Sequence, residues 1–217
     1  MSNRPLKALV VATTNLGKLR EIRKLLSPLP IEVITPKDLL CVMPQIVEDG
    51  ERFEDNAIIK ARAIAQLTQQ VTLADDSGLE VDAIGGLPGV RSARYAGEHA
   101  TDADNNAALI RALTELGVKE SKARFRCSMA LVDSTGTVLG LHNGVCEGRV
   151  TVEPRGNTGF GYDPLFVVTE LGERTMAELT DDEKNAISHR GRALRAMLTE
   201  IEKLVITERD IEVSAEL

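Results

Sequence analysis

Apolar residues in this chain come in short bursts whose period keeps changing, and that alternation restricts the fold more than any other feature. Lys7 to Ala12 (KALVVA) is a compact β-rich run, read as a buried strand. After the polar turn Thr13 to Lys18 (TTNLGK), Leu19, Ile22 and Leu26 share one helical face until Ser27-Pro28 stops it. Ile31 to Ile34 reads as a second strand, and residues 41–50 as a loop ending in Glu48-Asp49-Gly50. From 53 to 67 the apolar positions 53, 57, 61 and 64 keep helical spacing, with Asn56 and Lys60 stacked on another face. Val71 to Ala74 is a short strand that runs straight into Asp75-Asp76-Ser77-Gly78 at its end. Residues 84–97 form a glycine-rich loop, and Asp104 to Leu116 a helix with Thr101 or Asp102 as N-cap. Arg124 to Val132 alternates as a half-buried strand, a turn follows at Asp133 to Thr137, and further strands reach about Val152. A second glycine-rich loop at 154–164 leads to a strand at Leu165 to Val168. Thr180-x-x-Glu183 is a capping box opening a helical region that Ser188 and Gly191 divide into a short and a longer helix. Early strand–helix alternation followed by a strand-rich middle predicts an α/β fold on a mixed sheet.

At 217 residues, without linker, repeat or low-complexity segment, the chain reads as one domain able to bury a core without disulfides. Its net charge of −7 disfavours non-specific binding to nucleic acid or anionic membranes. Four Phe, two Tyr and no Trp leave little for stacking along a strand of nucleic acid. Cys41, Cys127 and Cys146 show no CxxC spacing, which fits a reducing compartment and argues against a zinc site. No apolar run approaches the ~18 residues of a membrane span, and Met1 to Leu6 is too short and polar for a signal peptide. The expectation is a cytoplasmic protein with no nucleic-acid or membrane partner.

Four segments carry chemistry. The turn Thr13 to Lys18 is comparable with a phosphate-binding P-loop, but Ala12 replaces the first glycine and Leu19 the metal-binding hydroxyl. A strand end, backbone N–H groups at a helix start and one lysine still make an anion site; an ordinary strand-to-helix connection reads the same way. Asp75-Asp76, with Glu48 as a third acid, suits Mg²⁺, which takes one or two carboxylates plus water and phosphate oxygens. Adjacent strand residues point to opposite faces, so the two aspartates should differ in role; Asp-Asp-Ser-Gly is equally ordinary turn chemistry. Phe160 and Tyr162 lie among the glycines of Gly159-Phe160-Gly161-Tyr162-Asp163-Pro164, where rings either stack on a planar base or plug the core beneath. Lys184, Ser188, His189 and Arg190 gather cationic and donor groups, suited to phosphate or a purine edge, or to a solvated basic face.

Taken in order, several motifs resemble one family: Thr13-Thr14-Asn15-x-Gly17-Lys18-x-x-Glu21; Glu48-x-Gly50 through Asn56-Ala57-x-x-Lys60-Ala61; and Ala74-Asp75-Asp76-Ser77-Gly78-Leu79. Gly85-Gly86-x-Pro88-Gly89, Ser92-Ala93-Arg94-Tyr95, Gly159 to Pro164 and Ser188-His189-Arg190-Gly191 complete the series, which spans about residues 7 to 200. The chain resembles the inosine/xanthosine triphosphate pyrophosphatases, enzymes that remove deaminated purine nucleotides. Thr14 stands where many members carry glycine.

The resemblance implies an elongated mixed sheet with helices in two lobes, a nucleotide cleft between them, and a homodimer. It implies Mg²⁺-dependent hydrolysis of ITP, dITP and XTP to the monophosphate and pyrophosphate. By that analogy Thr13, Thr14, Asn15, Leu16, Gly17 and Lys18 bind the triphosphate, with Lys60 as a further cation. Glu48 and Asp76 hold the metal, and Asp76 is also the catalytic proton acceptor. Ser77 touches substrate, while Phe160, Gly161, Tyr162, Asp163, Lys184, His189 and Arg190 surround the base. The catalytic domain is expected over residues 1–204, with 205–217 as a C-terminal extension. Two alternatives stand beside this: a Maf-type pyrophosphatase for other modified nucleotides, and a non-catalytic nucleotide-binding regulator.

Overall fold

The computed structural model describes residues 6–205; the expected extension, apart from Val205, lies outside the described residues. Seven strands form one sheet in the order β2-β1-β3-β4-β5-β6-β7. β1 (Ala8–Val11) pairs in parallel with β2 (Glu32–Ile34) and with β3 (Thr72–Val81); every later pairing is antiparallel. β4 (Glu120–Val132) and β5 (Val138–Thr151), of 13 and 14 residues, form the spine, roughly 45 Å long at ~3.4 Å per residue. β6 (Phe166–Val168) and β7 (Arg174–Thr175) complete the far edge. The mixed α/β sheet expected from the alternating pattern is therefore present.

Helices cover the sheet where their apolar faces match it. α1 (Leu16–Leu26) and α5 (His189–Val205) bury Leu19, Ile22, Leu194, Met197 and Ile201 against Leu9, Leu73 and Met129 on one face. α2 (Phe53–Thr68) buries Ala57, Ala61, Ile64 and Ala65 against Val10, Ala74 and Ala130 on the other. The small alanines bring the α2 backbone close to the strands, so its polar residues also reach the sheet. A third cluster, around Leu79, Phe125, Val150, Tyr162 and Phe166, occupies the far half of the spine and takes in Leu109 and Leu113 of α3 (Asp102–Glu115). Thr101 caps α3 in a capping box with Asp104, and Thr180 does the same with Glu183 for α4 (Asp181–Ile187).

One local expectation is corrected. Asp75-Asp76-Ser77-Gly78 neither ends a strand nor makes a turn; it lies in the middle of the ten-residue β3, paired with β4 from Thr72↔Val132 to Val81↔Ala123. Turn-forming residues are held extended here because an unbroken antiparallel ladder fixes their backbone, and sheet context overrides intrinsic preference. Gly78 is required by close approach: a Cβ there would lie 3.0 Å from the Phe53 ring and closer still to Ser92 Oγ and the Gly89 carbonyl. On its other edge β3 pairs with β1 only at Thr72 and Leu73. Beyond them β1 turns away into α1, leaving Asp75 and Asp76 at the floor of an opening in the sheet.

Candidate active site

At that opening, β1 delivers the chain into the start of α1. The Asn15 side chain caps the helix by accepting from Lys18 N at 3.0 Å, and Asn15 N donates to Thr13 Oγ1 at 3.1 Å. The first N–H groups of a helix have no partner within it, so Leu16 and Gly17 leave donors at a positive dipole end. Gly17 is fixed by the Phe160 ring, whose Cε1 and Cγ would lie 2.8 and 2.9 Å from an added Cβ. The phosphate-type turn and the aromatic loop, 143 residues apart by number (160 − 17), are thus in direct contact.

The two aspartates of β3 face opposite ways, as strand alternation requires. Asp75, 2% exposed, points toward α1 and α5: it pairs with Lys18 Nζ at 3.0 Å and Arg190 Nη2 at 3.2 Å, and accepts from Ser77 Oγ at 3.1 Å. Burial alone would raise the Asp75 carboxyl, but Lys18, Arg190 and Lys60 outweigh it and hold it well below the usual carboxylate range. Asp76 points toward α2, where Asn56 Nδ2 donates to its Oδ2 at 3.1 Å; Ser77 N donates to Oδ1 at 3.1 Å. Burial raises the Asp76 carboxyl, and Lys60, Lys18 and the Asn56 hydrogen bond only partly offset it. The same sequence pair thus yields a permanently ionised anchor and a more basic carboxylate.

Glu48 arrives on the irregular loop before α2. Its carboxylate pairs with Lys60 Nζ at 2.7 Å, and its carbonyl accepts from Arg94 Nη2 at 3.3 Å. Lys60 also donates to the Asp75 carbonyl at 3.2 Å. Burial would lower the Lys60 ammonium, but Glu48, Asp75 and Asp76 outweigh it and keep it charged.

The cleft is also lined by a buried ionic cluster. Lys184, from α4, pairs with Glu21 Oε1 at 2.8 Å and with Asp163 Oδ2, while its Nζ sits 4.4 Å from the Phe160 ring centroid. Asp163 also accepts from Phe160 N at 2.9 Å, fixing the loop's entry. Gly161 is gripped from α3: its N–H donates to Asp102 Oδ2 at 2.7 Å, and its carbonyl accepts from Asn106 Nδ2 at 2.9 Å. The two aromatics differ. Both line the cleft, but only Tyr162 is also packed into the far core, with its hydroxyl donating to the Ser92 carbonyl at 2.9 Å.

The structure brings most of the sequence-named residues to one cleft of about 230 Å³. Asn15, Lys18, Glu48, Lys60, Asp76, Ser77, Phe160, Gly161, Tyr162, Asp163, Lys184, His189 and Arg190 line it. Thr13, Thr14, Leu16 and Gly17 are not among its lining side chains, and Leu16 is 79% exposed.

Two expectations change in kind. His189 does not add positive charge: burial, then Arg190 and Lys184, push its imidazole well below the usual histidine range, and it stacks on Phe125 at 4.8 Å. Arg190 is not a free array of donors around a base. Its guanidinium, 1% exposed, donates to Asp75, to Ser77 Oγ at 2.8 Å and to Glu21. Asn56, Arg94, Asp102 and Asn105 also line the cleft and had no assigned role at a site in the sequence. Asn56 and Arg94 stood in the family motifs and Asp102 was a candidate helix cap, whereas Asn105 left no signal.

Three lysines (Lys18, Lys60 and Lys184), four carboxylates (Glu48, Asp76, Asp102 and Asp163) and the Phe160 ring line one cleft, which defines an α/β protein with a charged, ligand-sized cleft on a mixed sheet. The sequence model of the Ham1 family matches residues 9–200, and the chain belongs to that family. It is 51% identical over 186 residues to a dITP/XTP pyrophosphatase of Geobacter sulfurreducens, covering 86% of this chain and 92% of that one. To the dITP/XTP pyrophosphatase of Syntrophobacter fumaroxidans it is 48% identical over 197 residues, 91% of this chain and 83% of that one. Among solved structures, a HAM1 protein from Coxiella burnetii superposes with a TM-score of 0.81 at 42% identity, covering 91% of this chain and all of that one.

Proposed function

We propose that this protein hydrolyses deaminated purine nucleoside triphosphates, dITP, ITP and XTP, to the monophosphate and pyrophosphate. The observation that carries the reading is a chain of contacts through the cleft. Glu48 pairs with Lys60, Lys60 donates to the Asp75 carbonyl, the Asp75 carboxylate pairs with Lys18, and the start of α1 at Gly17 meets the Phe160 ring beside Lys184. A triphosphate laid along α1 puts its base on Phe160 and its phosphates beside Lys18 and Lys60. Glu21 and Asp163 take two of the three Lys184 N–H groups, and the third suits a purine carrying a 6-oxo acceptor better than one carrying a 6-amino donor.

Asp76 is the proposed proton acceptor. It lines the cleft, its carboxyl is raised by burial, and neither of its two partners supplies it with a permanent counter-charge at hydrogen-bond distance. In the proposed step a water oxygen bonds to phosphorus, its proton passes to Asp76, and the Pα–O–Pβ bridge breaks to release pyrophosphate. Lys18 and Lys60 bind and orient the phosphates.

The residues present fit Mg²⁺. The cleft carboxylates Glu48 and Asp76 are hard oxygen donors, and among the described residues no group of three acidic, His or Cys side chains forms a closed cage. Mg²⁺ needs only one or two carboxylates with water and substrate phosphates. When bound, it would supply positive charge to offset that developing on the pyrophosphate oxygens. A homodimer and a cytoplasmic location belong to the same reading; the free thiols of Cys41, Cys127 and Cys146 support a reducing compartment.

Turnover of dITP, ITP, XTP, GTP and ATP with products separated by ion chromatography tests the reading. The expected products are the monophosphate and pyrophosphate, with the 6-oxo, 2-unaminated purines turned over fastest; orthophosphate as the main product would overturn it. Gly17→Ala tests the contact between turn and loop. Its Cβ must displace the Phe160 ring, and overpacking of this kind costs about 1–3 kcal/mol. KM for dITP should rise about tenfold with kcat less affected.

A further inference from the structure

Glu48 and Asp76 are held by very different kinds of structure. Asp76 is in the middle of a sheet, whereas residues 40–52 around Glu48 contain neither helix nor strand. Two such carboxylates can serve one ion only if the loop is registered against the strand, and one side chain reaches both. Asn56, in the first turn of α2 and 2% exposed, accepts from Gly50 N at 2.8 Å through Oδ1. Its Nδ2 donates to the Gly50 carbonyl at 3.2 Å and to Asp76 Oδ2 at 3.1 Å. The Gly50 N–H determines which way the amide faces, since flipping it would set donor against donor.

Three further features mark this as a built arrangement. A Cβ on Gly50 would lie 2.7 Å from Asn56 Oδ1, so only glycine lets the amide lie flat against the loop backbone. The asparagine amide bonds readily to nearby backbone outside a helix start, and here it does so at a buried position. The platform is rigid: Ala57 and Ala61 pack on the sheet, and Glu54 accepts from Asn143 of β5 at 3.0 Å.

We propose that Asn56 is a positioning residue that sets the spacing between Glu48 and Asp76 and so prebuilds the divalent-cation site. The inference rests on the metal reading given above and goes beyond it. Asn56 acts through Gly50 and Asp76. Without its amide the loop keeps the Lys60 contact to the Glu48 carboxylate and the Arg94 contact to the Glu48 carbonyl. The Lys60 contact ties Glu48 to a competing cation, so losing the Gly50 tether should favour that pair over the metal.

The test is Mn²⁺ binding to nucleotide-free protein, followed by the paramagnetic resonance of free Mn²⁺, in wild type, Asn56→Ala and the similarly shaped Asn56→Leu. Loss of an outer partner of a metal ligand typically costs about 10–100-fold in affinity. Mn²⁺ binding should weaken by that factor, and the Mg²⁺ concentration for half-maximal dITP turnover should rise in parallel. At saturating Mg²⁺, KM for dITP should stay near wild type, and kcat should recover to within a few-fold. Either variant, folded by circular dichroism and binding Mn²⁺ within twofold of wild type, overturns the proposal. Failure of both to fold overturns it too, since Asn56 would then build the core rather than position the site. Failure of the functional reading looks different: wild type itself would release no pyrophosphate from dITP.

Discussion

Asp76→Asn is expected to lower kcat for dITP by about 10²-fold or more, because a positioned general base typically contributes 10²–10⁴-fold. The side chain keeps its size, and one oxygen remains to accept from either Ser77 N or Asn56 Nδ2, but not both. One mismatched hydrogen bond costs about 1–3 kcal/mol, which a well-packed domain of this size should tolerate. The variant should therefore fold and bind nucleotide with a smaller change in KM than in kcat. Steady-state kinetics with pyrophosphate detection, alongside a thermal melt, check this. Near-normal kcat in a folded protein would remove Asp76 from the proton-accepting role.

The second large effect concerns stability. Arg190→Ala should lower the melting temperature by on the order of 10 °C. Arg190 joins α5 to β3 and α1 by donating to Asp75 and Glu21, residues 115 and 169 positions away in the chain. Both carboxylates are buried, and deleting a buried partner leaves uncompensated charge at a cost of about 3–5 kcal/mol. For a domain of 150–250 residues each kcal/mol moves the midpoint by roughly 2–4 °C. Lys18 still neutralises part of Asp75, and Lys184 part of Glu21, so the fold should survive at lower temperature. Arg190→Lys should recover only part of the loss, since one ammonium cannot reproduce the fork that reaches three partners. A melting temperature within 2 °C of wild type in Arg190→Ala would show that the cluster does not hold these elements together.

These two residues illustrate different kinds of legibility. The acidic pair after an apolar strand marked Asp75 and Asp76 as metal-site candidates of unequal role, and the family resemblance singled out Asp76. What stayed hidden was that the strand continues through the pair, since Asp, Ser and Gly carry turn preferences that only the β4 ladder overrides. Arg190 was visible as a donor in a basic cluster, but its direction was not. The same charge would read a base edge if exposed, yet it locks three elements together when buried.

Local chemistry was settled by the sequence alone. The period of the apolar residues located most strands and helices, though not the part of β3 beyond Ala74. Thr180 with Glu183 determined where α4 begins, because a capping box acts within four residues, and Thr101 was one of two N-cap candidates for α3, which starts at Asp102 rather than Asp104. The motifs likewise determined the kinds of group available: a polar turn at a helix start, acids, an aromatic loop and cations. Only the tertiary structure decided which acid meets which cation, that Tyr162 packs into the core at the cleft wall while Phe160 lies against Gly17 and Lys184, and that Asn56 joins the Glu48 loop to Asp76. Those outcomes depend on how α1, α2 and α5 cross β3. Packing of buried faces sets those crossings, and no short-range spacing along the chain encodes them.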